Sequence, residues 1–434
     1  MKYPNTDVIW NLFRKLELYT KRKVENGGIG IDHALIQIED TLKSCINYVN
    51  NLPEESDSVF NEPNSLDDIK KLRPDGPRKI WHDFKEEIYM DKLKGSFLAR
   101  MAGCTLGAIV EAWPISKMEE WSKECNQPFP PTDYWTDIPD PDTVRYGVSK
   151  RKEYLRYQMD GVPVDDDITY TILGLLIAEQ YGTDFTVENV GQAWVKYLPV
   201  AYTAEDIALK NLKKGIPADQ CGEKDNPYQL WIGAYIRSDP WGYMAPGWPE
   251  KAAQMAWTDA MLSHRRTGIY GAMYFAAVIS AAFTTDDLEE ALRIGLTEIP
   301  ENCTLAKEIA WAIQEGKNVH DYRQAREIVD NRYQGMSGVH TVNNAVLTIF
   351  GLMIGRDDLT KVLSQTVAMG LDNDCNGATA GSIAGALSGF EKLPEHWYAG
   401  FNDKVHTYMN DCREFKISDL LNRFSKQASF IWRL

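Results

Sequence analysis

The sequence predicts an all-α fold, and three observations carry that reading. Apolar residues recur at helical spacing through most of the chain, no series of alternating strand-like runs appears, and one segment repeats glycine every fourth residue. At 434 residues, with 44% hydrophobic and 25% charged residues and its 20 Pro and 31 Gly dispersed, the chain has enough apolar content for a sizeable core. Collagen-like and wholly disordered readings fail on the same figures.

Taken in order, 7–19 and 31–48 read as two helices, the second carrying Ile31, Ala34, Ile38, Leu42, Cys45 and Ile46 on one stripe. The polar, acidic stretch 51–66 is interrupted by Pro53 and Pro63 and reads as a loop. A boundary is expected near Arg78, so residues 1–78 form an N-terminal helical extension with an acidic linker and 79–434 form the main domain. A helical pattern returns over 91–111, and the proline- and aromatic-rich stretch 113–142 reads as a long, functional loop. Further helices are expected at 168–180, 251–262, 269–283, 343–354, 359–369 and 376–390. In 168–180, Ile168, Ile172, Leu175 and Leu176 share one face while Leu173 and Ile177 widen it, as in a helix covered on most sides.

Gly377, Gly381, Gly385 and Gly389 lay a bare stripe along one helix. Each costs about 1 kcal/mol against Ala in a helix, so a close approach of another backbone must compensate. The stripe resembles membrane packing, but Thr379, Ser382 and Ser388 favour a soluble bundle. The longest apolar run, 269–283, is shorter than the ~20 residues of a spanning helix. No membrane partner is expected.

A net charge of −15 opposes attraction to phosphate backbones, so nucleic acid is not an expected partner. Seven dispersed cysteines, with no CxxC pair, read as reduced thiols without a zinc site. Charged residues interrupt the first 21 residues, which lack a secretory pattern, and a cytoplasmic location is expected.

The chemistry concentrates in two acidic clusters, Asp165-Asp166-Asp167 and Asp372-Asn373-Asp374, each just ahead of a strongly helical segment. Helix capping accounts for one side chain per cluster. Three adjacent aspartates, however, repel one another unless solvent or a cation relieves the charge. Carboxylates suit Mg²⁺, Mn²⁺ or Ca²⁺. Asp372-x-Asp374-x-Asn376-Gly377 imitates half of a calcium-binding EF-hand loop, but the twelfth position is Ile383 and the segment continues as helix.

Three motifs then bear a family resemblance. GCTLGAIVE (Gly103 to Glu111), VDDDITYT (Val164 to Thr171) and GLDNDCNGATAGSIAGALSG (Gly370 to Gly389) resemble, in that order, the early helix, the first metal motif and the late aspartate-x-aspartate helix of the ADP-ribosylglycohydrolases, a family that includes the J-type crystallins. The segment 232–283 is similar to the family's middle part. The resemblance implies an orthogonal helical bundle with a cleft that holds two Mg²⁺ ions, replaceable by Mn²⁺, on Asp165, Asp166, Asp167, Asp372, Asp374 and Cys375, with Glu111 at the early acidic position. Asp165 stands where the family usually has Thr, and Cys375 where it has a hydroxyl.

The implied reaction is hydrolysis of an N- or O-glycosidic bond to a ribosyl or ADP-ribosyl group, with a metal-oriented water as nucleophile. Such cleavage builds positive charge on the sugar and needs an anionic pocket. Glu111, Asp166 and Asp372 are the candidate bases, and the residues leave the choice open. Arg237 is expected to meet a phosphate through its guanidinium fork and His264 to contact substrate. The local alternatives are an Arg237–Asp239 pair and a structural histidine. A small nucleoside-like riboside as substrate, and a non-catalytic ADP-ribose-binding or structural protein, remain open beside the hydrolase reading. The leaving group and oligomeric state stay open as well.

Overall fold

In the computed structural model, residues 3–137 and 152–433 are described. They form twenty α-helices, a few short 3-10 turns and one antiparallel pair of three-residue strands, Lys404–His406 with Glu414–Lys416. The all-α expectation holds.

Contacts divide the chain into two compact units, Met1–Phe60 with Arg332–Met336, and Asn61–Asn331 with Ser337–Leu434. The first unit carries the helices Asp7–Glu25 and Ile31–Asn50, neither of which buries a residue. Gly27 and Gly30 between them take φ of +69° and +80°, the left-handed region that glycine adopts without a Cβ clash.

Composition places the hand-over to the main domain near Arg78, yet polar contacts tie the preceding residues into the second unit. Trp257 Nε1 donates to the Asn64 carbonyl at 2.9 Å, the Arg266 amide donates to Asn64 Oδ1 at 2.7 Å, and Arg73 joins Glu250 and Glu298. A short helix, Ser56–Asn61, interrupts the expected loop 51–66.

The centre of the second unit is the antiparallel pair Glu86–Ala108 and Asn373–Ser388, here called the early and late helices. A Cβ added at Gly95 would meet the backbone of Gly385 and Gly389, one at Gly381 that of Ala99, one at Gly103 that of Gly377, and one at Gly107 that of Asp374. The four-residue glycine spacing thus lets two backbones touch along their length, and the van der Waals contact offsets the helix cost of the glycines. This packing sets the site. It holds the first turn of the late helix against the last turn of the early one.

Helix Thr267–Ala282 is buried at every residue, and Thr341–Gly355 and Leu359–Ala368 pack beside the late helix. Among the described residues, no helix is long and apolar enough to cross a membrane. Two expectations change. The stretch 113–142 contains the helix Ile115–Glu124, which buries Met118, Trp121 and Ser122 on one face after Pro114, while residues 138–142 lie outside the described residues. The early helix stops at Ala108, short of Glu111: Ala112 turns to φ +58° and its amide donates to the Leu371 carbonyl at 3.0 Å.

Candidate active site and metal centre

Asp165 takes an extended backbone and caps helix Asp166–Tyr181, its Oδ1 accepting from the Asp167 amide at 3.0 Å. Thr169 Oγ1 donates to the Asp165 carbonyl at 2.6 Å and fixes the turn. Capping therefore accounts for Asp165. It does not account for Asp372, which stands at the N-terminus of the late helix without a side-chain cap bond. The Asp372 amide donates instead to Asn344 Oδ1 at 3.4 Å, and Asn376 Nδ2 donates to the same oxygen at 2.8 Å.

The two motifs converge. Cys375 Sγ donates to Asp167 Oδ2 at 3.1 Å, bridging chain positions 208 residues apart. Ligand atoms of Asp167, Asp374 and Cys375 lie within 4.8 Å of one another, as do those of Glu111, Asp372 and Asp374, and those of Cys104, Asp165 and Asp167. Asp165, Asp166, Asp372, Asp374, Cys375 and Glu111 line one cavity of about 560 Å³. Tyr154, Tyr170, Tyr202, Trp231 and Tyr408 form much of its wall, and Glu205 joins the acidic lining. A wider depression of about 840 Å³, lined by Asp75, Arg293 and Arg356 among others, shares no lining residue with it.

The donor set fits a hard cation. Burial, and then the neighbouring aspartates, push Asp165 and Asp372 well above the usual carboxylate range; burial raises Asp167 as well, and Asp166 is pushed up to about 6. Buried oxygens that repel one another are the environment a divalent ion relieves. The Cys375 thiol, driven well above its ordinary value by burial and by Asp167, stays protonated and serves as a donor to that carboxylate.

A model of the ADP-ribosylglycohydrolase family matches residues 85–428. The chain belongs to that family. A solved structure described as an ADP-ribosylglycohydrolase-related protein complex is similar in fold, with 17% identity and a TM-score of 0.52 over 80% of this chain and 99% of that one. No curated protein matches the chain significantly.

Within this family member, two expected substrate contacts lie elsewhere. Neither Arg237 nor His264 is among the residues lining the cavity. Arg237 is buried, its Nε on Asp259 Oδ2 and its Nη1 on Glu205 Oε1, both at 2.7 Å, with Nη2 on Ser263 Oγ at 3.0 Å and Trp194 and Tyr170 flanking it. With its fork engaged by two carboxylates, it does not reach into the cavity but holds Glu205 at the rim. The local pair with Asp239 is not formed either, because Asp239 joins Arg100 at 2.9 Å. His264 is fully buried, its Nδ1 2.8 Å from Ser263 Oγ, and burial beside Arg237 and Arg265 keeps the ring neutral.

Arg100 was not among the candidates. Its Nη2 meets Asp167 Oδ1 at 3.3 Å and the Ile236 carbonyl at 2.7 Å, and its Nε donates to Thr171 Oγ1 at 2.8 Å. The available signal was a lone arginine in the apolar stretch SFLARMAG. Glu205, pushed up to about 7 by burial against the opposing pull of Arg237, was also missed, because nothing in its local sequence marks it.

Proton competition at these carboxylates has a measurable sign. Asp166 with a folded value near 6 is largely protonated at pH 5 and largely ionised at pH 7, and a cation binds the ionised form. The rise in Tm produced by millimolar Mg²⁺ is expected to be larger at pH 7 than at pH 5, read by differential scanning fluorimetry against a chelator control. Without the cation the sign reverses. A carboxyl whose folded value lies above its unfolded one stabilises fully below the unfolded value, near 4, and that contribution is lost as pH rises through about 6.

Proposed function

We propose that the chain is a Mg²⁺-dependent glycohydrolase that cleaves the bond between the anomeric carbon of a ribosyl or ADP-ribosyl group and a nitrogen or oxygen of its substrate. The observation that carries this reading is the meeting of Asp165, Asp166, Asp372, Asp374 and Glu111 on one cavity, from motifs separated by most of the chain. Asp165, Asp166, Asp167, Asp372 and Asp374, with Cys375 beside them, are the residues proposed to hold the cation, and their number suits two ions, with Mn²⁺ able to replace Mg²⁺. When bound, the cation would orient a water and the ribose hydroxyls and lower the charge of the site.

The remaining work falls to the protein's own groups. A carboxylate wall stabilises the positive charge that grows on the sugar as the glycosidic bond lengthens. Asp166, Asp372 and Glu111 face the same space and are the three candidates for the base that takes the proton of the attacking water. The tyrosines and Trp231 offer flat apolar faces for a base or sugar and limit water access. Arg237 positions Glu205 and makes no substrate contact in this scheme.

One observation favours the smaller substrate as a second reading. Among the described residues, no Lys, Arg or His lines the cavity, so a nucleoside-like riboside meets less like-charge repulsion there than a diphosphate. The test is a hydrolysis screen of ADP-ribosylated peptides and nucleoside-type ribosides, each with Mg²⁺ and with excess chelator. Chelator-sensitive release of ADP-ribose or ribose supports the proposal, and the preferred donor separates its two forms. Tight binding of ADP-ribose with no turnover across the panel would instead favour the non-catalytic alternative.

A further inference from the structure

Among the described residues, sixteen of the twenty-four large apolar side chains that stand exposed fall between Val8 and Phe60. Most sit on the two helices Asp7–Glu25 and Ile31–Asn50. Ile9, Leu12, Phe13, Leu16 and Tyr19 share one face of the first helix, at helical spacing. Ile31, Leu35, Ile38, Leu42, Cys45 and Val49 recur in the second at alternating spacings of four and three residues, the seam pattern of a packed helical bundle. Of these, only Leu16, Ile31, Ile38 and Leu42 are half-buried.

In proteins most of a helix's stability comes from packing its apolar face rather than from intrinsic propensity. The rings of Phe13 and Tyr19 on that first face, 42% and 56% exposed, alone present on the order of 200 Å². With the aliphatic side chains around them, the pair exceeds the few hundred Å² a monomer leaves uncovered and approaches the ~800 Å² per partner of a stable interface.

Charge says what covers it. The first helix holds five basic residues (Arg14, Lys15, Lys21, Arg22, Lys23) against three acidic ones (Asp7, Glu17, Glu25), a balance of +2; the second holds Lys43 against Asp32, Glu39 and Asp40, a balance of −2. Lys15 and Arg22, seven residues apart, flank the first apolar face; Asp32 and Glu39, also seven apart, flank the second. A surface that is basic on one helix and acidic on the other is complementary to itself under two-fold rotation.

We propose that this helical pair is the dimerisation element of the chain. It packs on the same pair of a second copy as a four-helix bundle, each helix Asp7–Glu25 lying along the partner's second helix. Leu12 and Ile46 are 60% and 59% exposed, so a lone pair of helices does not depend on them, whereas the bundle does.

Light scattering on the eluting full chain tests this. Wild type is expected at twice 49.3 kDa, and Leu12→Asp with Ile46→Asp at 49.3 kDa with its hydrolytic activity per chain retained. Lys15→Glu with Arg22→Glu is expected to raise the dimer dissociation constant at least about tenfold. Mixing that variant with Asp32→Lys plus Glu39→Lys should restore a heterodimer, a rescue that loss of folding cannot produce. A monomeric wild type overturns the proposal, whether limited proteolysis finds the two helices protected by the chain's own main unit or anionic lipid vesicles take them up. A dimer indifferent to all these substitutions overturns it equally.

Discussion

Asparagine at both Asp166 and Asp374 is expected to lower kcat/KM for ribosyl release by at least about a thousandfold, roughly 4 kcal/mol of transition-state stabilisation. The substitutions keep side-chain shape and hydrogen-bonding capacity, so the two helices they begin should form as before. What they remove is charge at the point where the two motifs meet. Both residues line the cavity, and Asp374 belongs to two of the three groups whose ligand atoms come within 4.8 Å of one another. Isothermal titration with Mg²⁺ should show the matching loss of binding. The metal-free variant should also melt no lower than metal-free wild type, because one source of buried like-charge repulsion is gone. If these aspartates served only as first-turn charges on the helix dipole, the opposite pattern would be expected: unchanged chemistry and a slightly lower melting temperature.

The second large effect concerns stability. Arg100, Asp167 and Asp239 are each fully buried, and the guanidinium lies 3.3 Å from one carboxylate and 2.9 Å from the other. Methionine at position 100 would leave two buried carboxyls without their cation, a change that costs about 3–5 kcal/mol when a buried ion pair is broken. Urea unfolding should show this loss. Asp167 and Asp239 already lie above the usual carboxylate range because of burial, and Arg100 pulls both back. Without Arg100 their folded values rise further, so the penalty should grow as pH rises above the unfolded value near 4 and shrink in acid. Combining Arg100→Met with Asp239→Asn should recover part of the stability, since only one stranded carboxyl then remains.

Much of this arrangement is legible in the sequence, because its signals are local. Helical periodicity locates the main helices within a few residues. The glycine stripe from Gly377 to Gly389 announces a backbone contact, and the aspartate clusters mark helix starts that carry more charge than capping needs. What is not legible depends on partners brought together by folding. Arg100 reads as an anomaly in an apolar helix until Asp167, Asp239 and the Ile236 carbonyl surround it. Arg237 looks, two residues from Asp239, like a local pair or a phosphate ligand, whereas its partners Glu205 and Asp259 arrive from other helices. The aromatic wall is assembled from separated segments, with Tyr154, Trp231 and Tyr408 contributed by loops and turns that carry no shared spacing. Helix Ile115–Glu124 escapes notice because prolines on both sides give its surroundings the composition of a loop.

The central claim is that aspartates from two distant motifs bind the same divalent ions, and anomalous scattering from crystals grown with Mn²⁺ tests it directly. The account predicts strong peaks inside the cavity, between the carboxylates of Asp165 to Asp167 and those of Asp372 and Asp374, that vanish in the Asp166→Asn, Asp374→Asn double variant. An empty cavity at saturating Mn²⁺, or an ion held by one motif with the other turned away, would contradict it.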